Sequence, residues 1–488
     1  MSVQYDLRYA LQRLSQQENE LIDSDTLTNP DSELAGVYRY IGAGGTLKRP
    51  TKTGPAMMFT NIKGYPDAKV LIGLLAKRER TAFLLDTTSE NLAKTLNQAF
   101  IDQLQPIVVE KGKCQEVIHT SDDPDFDIRK IIPAIKTTQE DAGPYITMGL
   151  CYASDPDTKE SDVTIHRLCL QSKDEMTMFF TPGVRHLDVF RKKAEEMGRP
   201  LPISISIGVD PAIEVAACFE PPTTPLGFNE LCIAGGIRKQ PVEMCHCKTI
   251  DEYCIANSEY VIEGELIPGK RLPEDLHSGL KKAMPEFPGY TGEANSELPV
   301  IHVKAITHRK DPIMRVCIGP SEEHVNLAGI PTEASILSMC ERAMPGKVKN
   351  VYCAPCGGGK YVAIMQFCKR VPSDEGRQRQ AALIAFTAFS ELKHVYLVDE
   401  DVDIFDMNDV MWAMTTRFQS DVDCISIPGV RCHPLDPSND PDYDPSIRHH
   451  GIACKTIFDC TVPYEQKHRF QRSVFKEVDV TRWLKEND

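Results

Sequence analysis

The stretch Asp162-Val-Thr-Ile-His-Arg167 carries more chemistry than a short strand needs. Side chains alternate along a strand, so Asp162, Thr164 and His166 share one face and Val163, Ile165 and Arg167 the other. A guanidinium on an apolar face is costly to bury unless an anion pairs with it; an edge strand with Arg167 in solvent is the plain alternative. Asp162, His186 and Glu230 offer two carboxylates and an imidazole. That set suits manganese or magnesium if the fold gathers it, and is three unrelated polar residues if it does not. Glu286 lies inside the turn Pro285-Glu-Phe-Pro-Gly-Tyr290. Such a turn fixes an acid or base in place, although a surface turn has the same composition. Three glycines before Lys360 would let backbone amides approach an anion, but the spacing and the missing Ser/Thr exclude a P-loop. His308, His324 and His433 are scattered, and each alone is more readily structural.

The elements that must position these residues change character along the chain. Up to about residue 114, helical and strand-like stretches alternate: an amphipathic helix at the N-terminus, short apolar runs at Ala56–Phe59 and Lys69–Ile72, and a helix over 91–104. From 115 to 322 short β-rich segments dominate, at 145–151, 164–171, 176–180, 203–208, 242–247, 260–267 and 300–307, with one helix near 187–197. Runs of short strands favour an antiparallel sheet or barrel. From 323 to 488 α/β alternation returns, with a helix over 377–392, a buried strand over 395–398 and a helix opened by Asp406 as N-cap. The acidic run Asp399–Asp403 reads as a solvated strand-to-helix turn more readily than as a metal site. The Pro- and Asp-rich tail beyond 435 is expected to wrap a surface or a neighbouring subunit.

Composition narrows the function. Net charge is −15 with no long basic tract, which argues against nucleic acid or an anionic membrane as the main partner. No apolar run approaches the roughly 18 residues of a membrane span. The first residues lack a signal-peptide pattern, so a cytoplasmic location is expected. The 17 cysteines then read as reduced, mostly buried thiols. Cys245-His-Cys247 and Cys353-Ala-Pro-Cys356 form tighter groups, with packing the plainer reading and metal or redox chemistry the alternative.

Taken in order, several stretches resemble the UbiD family of prenylated-flavin-dependent (de)carboxylases along nearly the whole chain. They are Leu34–Tyr40 with Gly54–Phe59, Asp162–Arg167, Ile207–Ala212, Asn229–Gly235, Ser258–Gly264 and Val398–Arg417. Glu286–Tyr290, Gly319–His324 and Arg431–Asp436 look most like the branch acting on hydroxybenzoates such as protocatechuate, gallate and 4-hydroxybenzoate.

The resemblance implies an N-terminal α/β domain (1–114), a central flavin-reductase-like split β-barrel that binds prenylated FMN (115–322), and a C-terminal α/β domain with oligomer contacts (323–488). It implies reversible, non-oxidative loss of CO2 from a phenolic acid, aided by a divalent metal, Mn2+ or Mg2+, with K+ a further candidate ion. The metal would be held by Asp162, His186 and Glu230. Asp162 departs from the family's usual Asn, and its extra charge beside phosphate should strengthen metal dependence. Arg167 falls on the catalytic arginine; a guanidinium fork suits the substrate carboxylate. Ile165, His166, Phe179, Phe180, Thr181, Arg185 and His186 match stretches that line the cofactor, with Lys360 nearby. Glu286 keeps one active-site acid. Thr291 replaces the other, and threonine cannot be a general acid near neutral pH. His324 and His433 would face the ring hydroxyls. A separate flavin prenyltransferase would supply the cofactor to a homo-oligomer, dimer or hexamer. Two rivals stand beside this reading: a decarboxylase of heteroaromatic or α,β-unsaturated acids, and a non-catalytic flavin-binding subunit, for which the lost acid is the main support.

Overall fold

The computed structural model describes residues 3–45, 53–181, 186–447 and 449–483. The centre is a closed barrel of six antiparallel strands in the order Tyr260–Leu272, Leu201–Ile207, Tyr145–Ser154, Ser161–Leu170, Glu175–Met178 and Leu298–His308, the last pairing back onto the first. Val117–Thr120 adds a further strand beside Leu298–His308. Closure removes the barrel's free edges. Ile146, Leu168, Ile203, Ile205, Ile262 and Ile301 fill its interior, and the helix His186–Glu196 caps it with Leu187 and Phe190.

A small sheet precedes the barrel, ordered Leu21–Ser24, Ala56–Phe59, Lys69–Ile72 and Ile313–Val316. Its fourth strand comes from beyond the barrel and lies parallel to Lys69–Ile72, so the two units are interlocked. Buried charge cements the junction. Arg315, fully buried, meets Glu323 at 2.5 Å and Glu214 at 3.1 Å, while Glu323 also accepts from the Gly73 and Leu75 amides.

The C-terminal sheet runs Val348–Cys353, Val362–Phe367, His394–Asp399, Ile452–Asp459 and Cys424–Arg431. The helix Arg377–Ala388 crosses between the parallel strands Val362–Phe367 and His394–Asp399. Asp406 caps the helix Met407–Arg417 through the Asn408 amide, as expected, whereas Asp409 bonds the Asp403 amide and Arg472 rather than closing a capping box. In the acidic run, Asp399 and Asp401 pair with Arg417.

The longest helix, Glu322–Ala343, has no counterpart in the sequence reading. It is buried on nearly all sides and holds Pro331, so neither an apolar stripe nor an unbroken helix former marks it. It links the strand Ile313–Val316 to the C-terminal sheet and packs on Val348–Cys353.

Candidate active site

The strand Ser161–Leu170 is paired on one side along its length, but on the other only over Leu168–Leu170 among the described residues. A cavity of about 200 Å³ opens where the neighbouring strand stops, so residues from both faces of the strand (Thr164, Ile165, His166 and Arg167) line it. This is why simple alternation separated side chains that share one space.

Arg167 is nearly buried and makes the most contacts of the group. Its guanidinium lies 4.1 Å from the Phe179 ring centroid. Nη1 bonds Glu286, Nε lies 2.9 Å from Glu274 Oε1, and Nη2 donates to Glu274 Oε2 at 3.0 Å. Burial alone would disfavour the charge; the two carboxylates reverse that and hold the arginine cationic. The solvent-exposed alternative is therefore excluded.

Glu274 was not found from the sequence. It follows the long strand Tyr260–Leu272, and its carboxylate also accepts from the Tyr145 hydroxyl at 3.1 Å and the Asn295 amide at 3.1 Å. The second acid that Thr291 cannot supply thus comes from a loop 17 residues earlier in the chain, outside the motif. Thr291 itself lies in the short strand Thr291–Glu293 and does not line the cavity.

Glu286 sits on the tight turn that closes through Gly289, whose φ of 94° is glycine territory. Burial raises the Glu286 carboxyl above the usual range, Arg167 opposes the rise and Glu274 adds to it. The next residue, Phe287, packs its ring 5.6 Å from His324, 4.8 Å from His433 and 5.1 Å from Tyr361. His324 stands in the first turn of the long helix, whose N-cap Ser321 accepts from the His324 amide. His433 accepts from the Leu435 amide through Nδ1, and its Nε2 lies 3.3 Å from Glu391. Lys360 donates to the same Glu391 at 2.8 Å and to Glu220 at 3.3 Å. Gly359, with φ +76°, seats this lysine loop on the long helix: a Cβ there would lie 2.5 Å from the Val325 carbonyl. Gly357 and Gly359 therefore serve close packing rather than an anion cradle.

Of the residues singled out from the sequence, Ile165, His166, Arg167, Phe179, Thr181, Glu286, His324, Lys360 and His433 all line this one cavity. Phe180 does not; it packs behind His166 at 4.9 Å between ring centroids. Arg185 lies outside the described residues. Glu274 and Glu391 are the additions, and both could be found only from the fold.

A second, smaller void adjoins the first, with Thr164 lining both. Asp162, His186 and Glu230 wall it, and one ligand atom from each lies within 4.8 Å of the others. Each comes from a different element: a strand, the start of the helix His186–Glu196, and the N-cap of the helix Leu231–Arg238. Asn229 ties that cap to the strand by donating to Ser161 Oγ at 2.9 Å. His186 Nδ1 is 3.2 Å from Asp162 Oδ1, while buried Asp162 Oδ2 has no hydrogen-bond partner among the described residues. Burial and the nearby Asp162 charge push the Glu230 carboxyl well above its ordinary range. An orphaned carboxylate oxygen and two crowded acids are what a hard divalent cation relieves, so the trio fits a metal.

The 3-octaprenyl-4-hydroxybenzoate carboxy-lyase family matches in three consecutive pieces: its N-terminal domain over residues 13–100, its Rift-related domain over 107–322 and its C-terminal domain over 325–460. The chain is 52% identical to gallate decarboxylase of Lactiplantibacillus plantarum over 485 residues, 99% of each chain. It belongs to the UbiD family of carboxy-lyases. Among solved UbiD-family structures, apo 3,4-dihydroxybenzoic acid decarboxylase from Enterobacter cloacae is 55% identical, with 99% of each chain covered and a TM-score of 0.93. An evolved dimeric form of the UbiD-class enzyme HmfF from Pelotomaculum thermopropionicum, in complex with prFMN, is 31% identical, covering 99% of this chain and 100% of that one at a TM-score of 0.82.

Proposed function

We propose that this chain decarboxylates a phenolic acid of the protocatechuate or gallate type, using prenylated FMN and a divalent metal. The observation that carries the reading is the single cavity in which Arg167, bound by two carboxylates, shares space with Glu286, His324, Lys360 and His433. Its closest support from outside the chain is the high identity to gallate and 3,4-dihydroxybenzoic acid decarboxylases.

Losing CO2 from an aromatic ring leaves electron density that no side chain can hold; a prenylated flavin, when bound, supplies that electron sink. The residues here bind, orient and move protons. Arg167 pairs with the substrate carboxylate, and Phe179 beneath the guanidinium keeps its plane fixed. Glu286, its carboxyl raised by burial, carries the proton that replaces CO2. While Glu286 is protonated, its hold on Arg167 weakens and frees Nη1 for the incoming carboxylate. His324 takes the phenol proton, and His433, fixed by the Leu435 amide at Nδ1 and by Glu391 at Nε2, faces the ring hydroxyls. Lys360 adds a positive charge on the same side. Asp162, His186 and Glu230 would hold Mn2+ or Mg2+ near Thr164, at the edge of the cavity.

Glu274 removes the main support for a non-catalytic subunit, because Arg167 does have two acids beside it. The unit 115–322 is assigned the cofactor and 323–488 the substrate-facing histidines. A separate flavin prenyltransferase supplies the cofactor, and the reaction runs in either direction with CO2 concentration, in the cytoplasm. Exposed Val474, Phe475 and Trp483 on the C-terminal tail support a homo-oligomer. No described helix is long and apolar enough to cross a membrane. The test is co-expression with a flavin prenyltransferase, then assay on protocatechuate, gallate, vanillate and 4-hydroxybenzoate. Turnover of protocatechuate or gallate is expected; none on any of the four removes the proposal.

A further inference from the structure

Far from the cavity lining, a second group of metal-competent side chains is buried at the side of the barrel. Cys245 and Cys254 are cross-strand partners in the hairpin of Glu243–His246 and Tyr253–Ile255, and Cys114 reaches them from the 3-10 turn Lys113–Gln115. All three are fully buried. Cys245 Sγ lies 3.6 Å from Cys254 Sγ and 3.9 Å from Cys114 Sγ, and the three sulfurs sit within 4.8 Å of one another. Cys247, half-buried and one residue past the end of the strand Glu243–His246, packs against the group and meets the Cys254 thiol.

These spacings meet the geometry of a shared metal. Zinc bonded to sulfur at about 2.3 Å in a tetrahedron places its sulfurs about 3.8 Å apart. The observed 3.6 and 3.9 Å bracket that edge. Simple packing places no demand on the backbone around a sulfur, yet here one is met. Gly112 runs so close to Cys245 that a Cβ on it would lie 2.7 Å from Sγ, and its amide bonds that sulfur. A backbone amide aimed at a thiolate is an outer-shell feature of metal–sulfur sites.

We propose that Cys114, Cys245 and Cys254, with Cys247 as fourth ligand, form a structural zinc-thiolate site that staples the 3-10 turn to the hairpin. None of the four lines the cavity, so the metal's role is structural. Cys114 lies 131 residues before Cys245, so the hairpin thiols alone do not announce the site in sequence.

The full chain, expressed with zinc in the medium and purified without chelator, is analysed for metal and then exchanged to cobalt. One zinc per chain and thiolate-to-cobalt charge-transfer bands are expected. Sulfur-free ligands at Asp162, His186 and Glu230 give no such bands, so that site does not interfere. Cys245→Ser should abolish the bands and Cys454→Ser, at an exposed thiol, should retain them. If Cys245→Ser fails to fold, alkylation with peptide mapping on the parent chain decides: Cys245 and Cys254 should be protected with metal and labelled after chelation. Absence of both zinc and the bands, bands that survive Cys245→Ser, labelling indifferent to chelation, or a Cys245–Cys254 disulfide in the fresh protein would each overturn the site.

Discussion

Replacing Glu274 by glutamine probes how Arg167 is held. The carboxylate takes two contacts from the guanidinium, at 2.9 and 3.0 Å, and others from Tyr145 and Asn295. Glutamine keeps the shape but only one acceptor oxygen; its NH2 must then face donors, either on the guanidinium or on Asn295. At least one charge-assisted contact to Arg167 is lost, worth about 1.5–3 kcal/mol. If that contact serves to orient the arginine for the reaction, kcat/KM falls by about 10- to 150-fold. A second readout has a definite sign. Glu274 raises the proton affinity of Glu286, so its removal lowers the Glu286 pKa. Glu286 acts while protonated, and activity declines as pH rises through its pKa; in Glu274→Gln that decline must move to lower pH. The assay is CO2 release from 3,4-dihydroxybenzoate against pH, with flavin loading checked by absorbance. A variant whose kcat/KM and basic limb both match the parent would refute the reasoning.

Asp162→Asn removes one charge from the trio and should leave more flavin bound after chelation than in the parent; equal or greater loss contradicts the fit of metal to two carboxylates. Glu391→Gln removes the charge that Lys360 and His433 share and should lower kcat by about tenfold or more, measured at saturating substrate with the fold checked by circular dichroism. Arg315→Met leaves Glu214 and Glu323 buried without their partner and should destabilise by about 3–5 kcal/mol, read as a fall in thermal unfolding temperature. Gly359→Ala forces a Cβ toward the Val325 carbonyl at positive φ and should raise KM through the displaced Lys360 loop; unchanged KM would mean the loop relaxes at no cost.

The barrel strands were legible as short β-rich segments between turn signals, and Tyr145–Ser154, Ser161–Leu170 and Leu298–His308 lie within a few residues of where pattern placed them. Glu322–Ala343 was not legible, since a helix buried all round has no stripe to read. Arg167 stood out by being wrong for its face, and ordered motifs supplied Glu286, His324 and His433. Glu274 and Glu391 carry no local signature: each is an ordinary glutamate whose partner is distant in sequence, 107 residues for Glu274 to Arg167 and 31 for Glu391 to Lys360. Cys245-His-Cys247 stood out in the sequence but Cys114, 131 residues away, did not, while the CxxC that sequence did offer places one sulfur in the core and the other at the surface.

The account rests on Arg167 meeting a phenolic carboxylate, and the direct measurement is catechol and CO2 formed from protocatechuate by flavin-loaded parent and Arg167→Ala chains under identical loading. The parent should yield both products in equal amounts, and the variant should bind flavin yet form neither. Sustained product formation by Arg167→Ala, or none from the fully loaded parent, would contradict it.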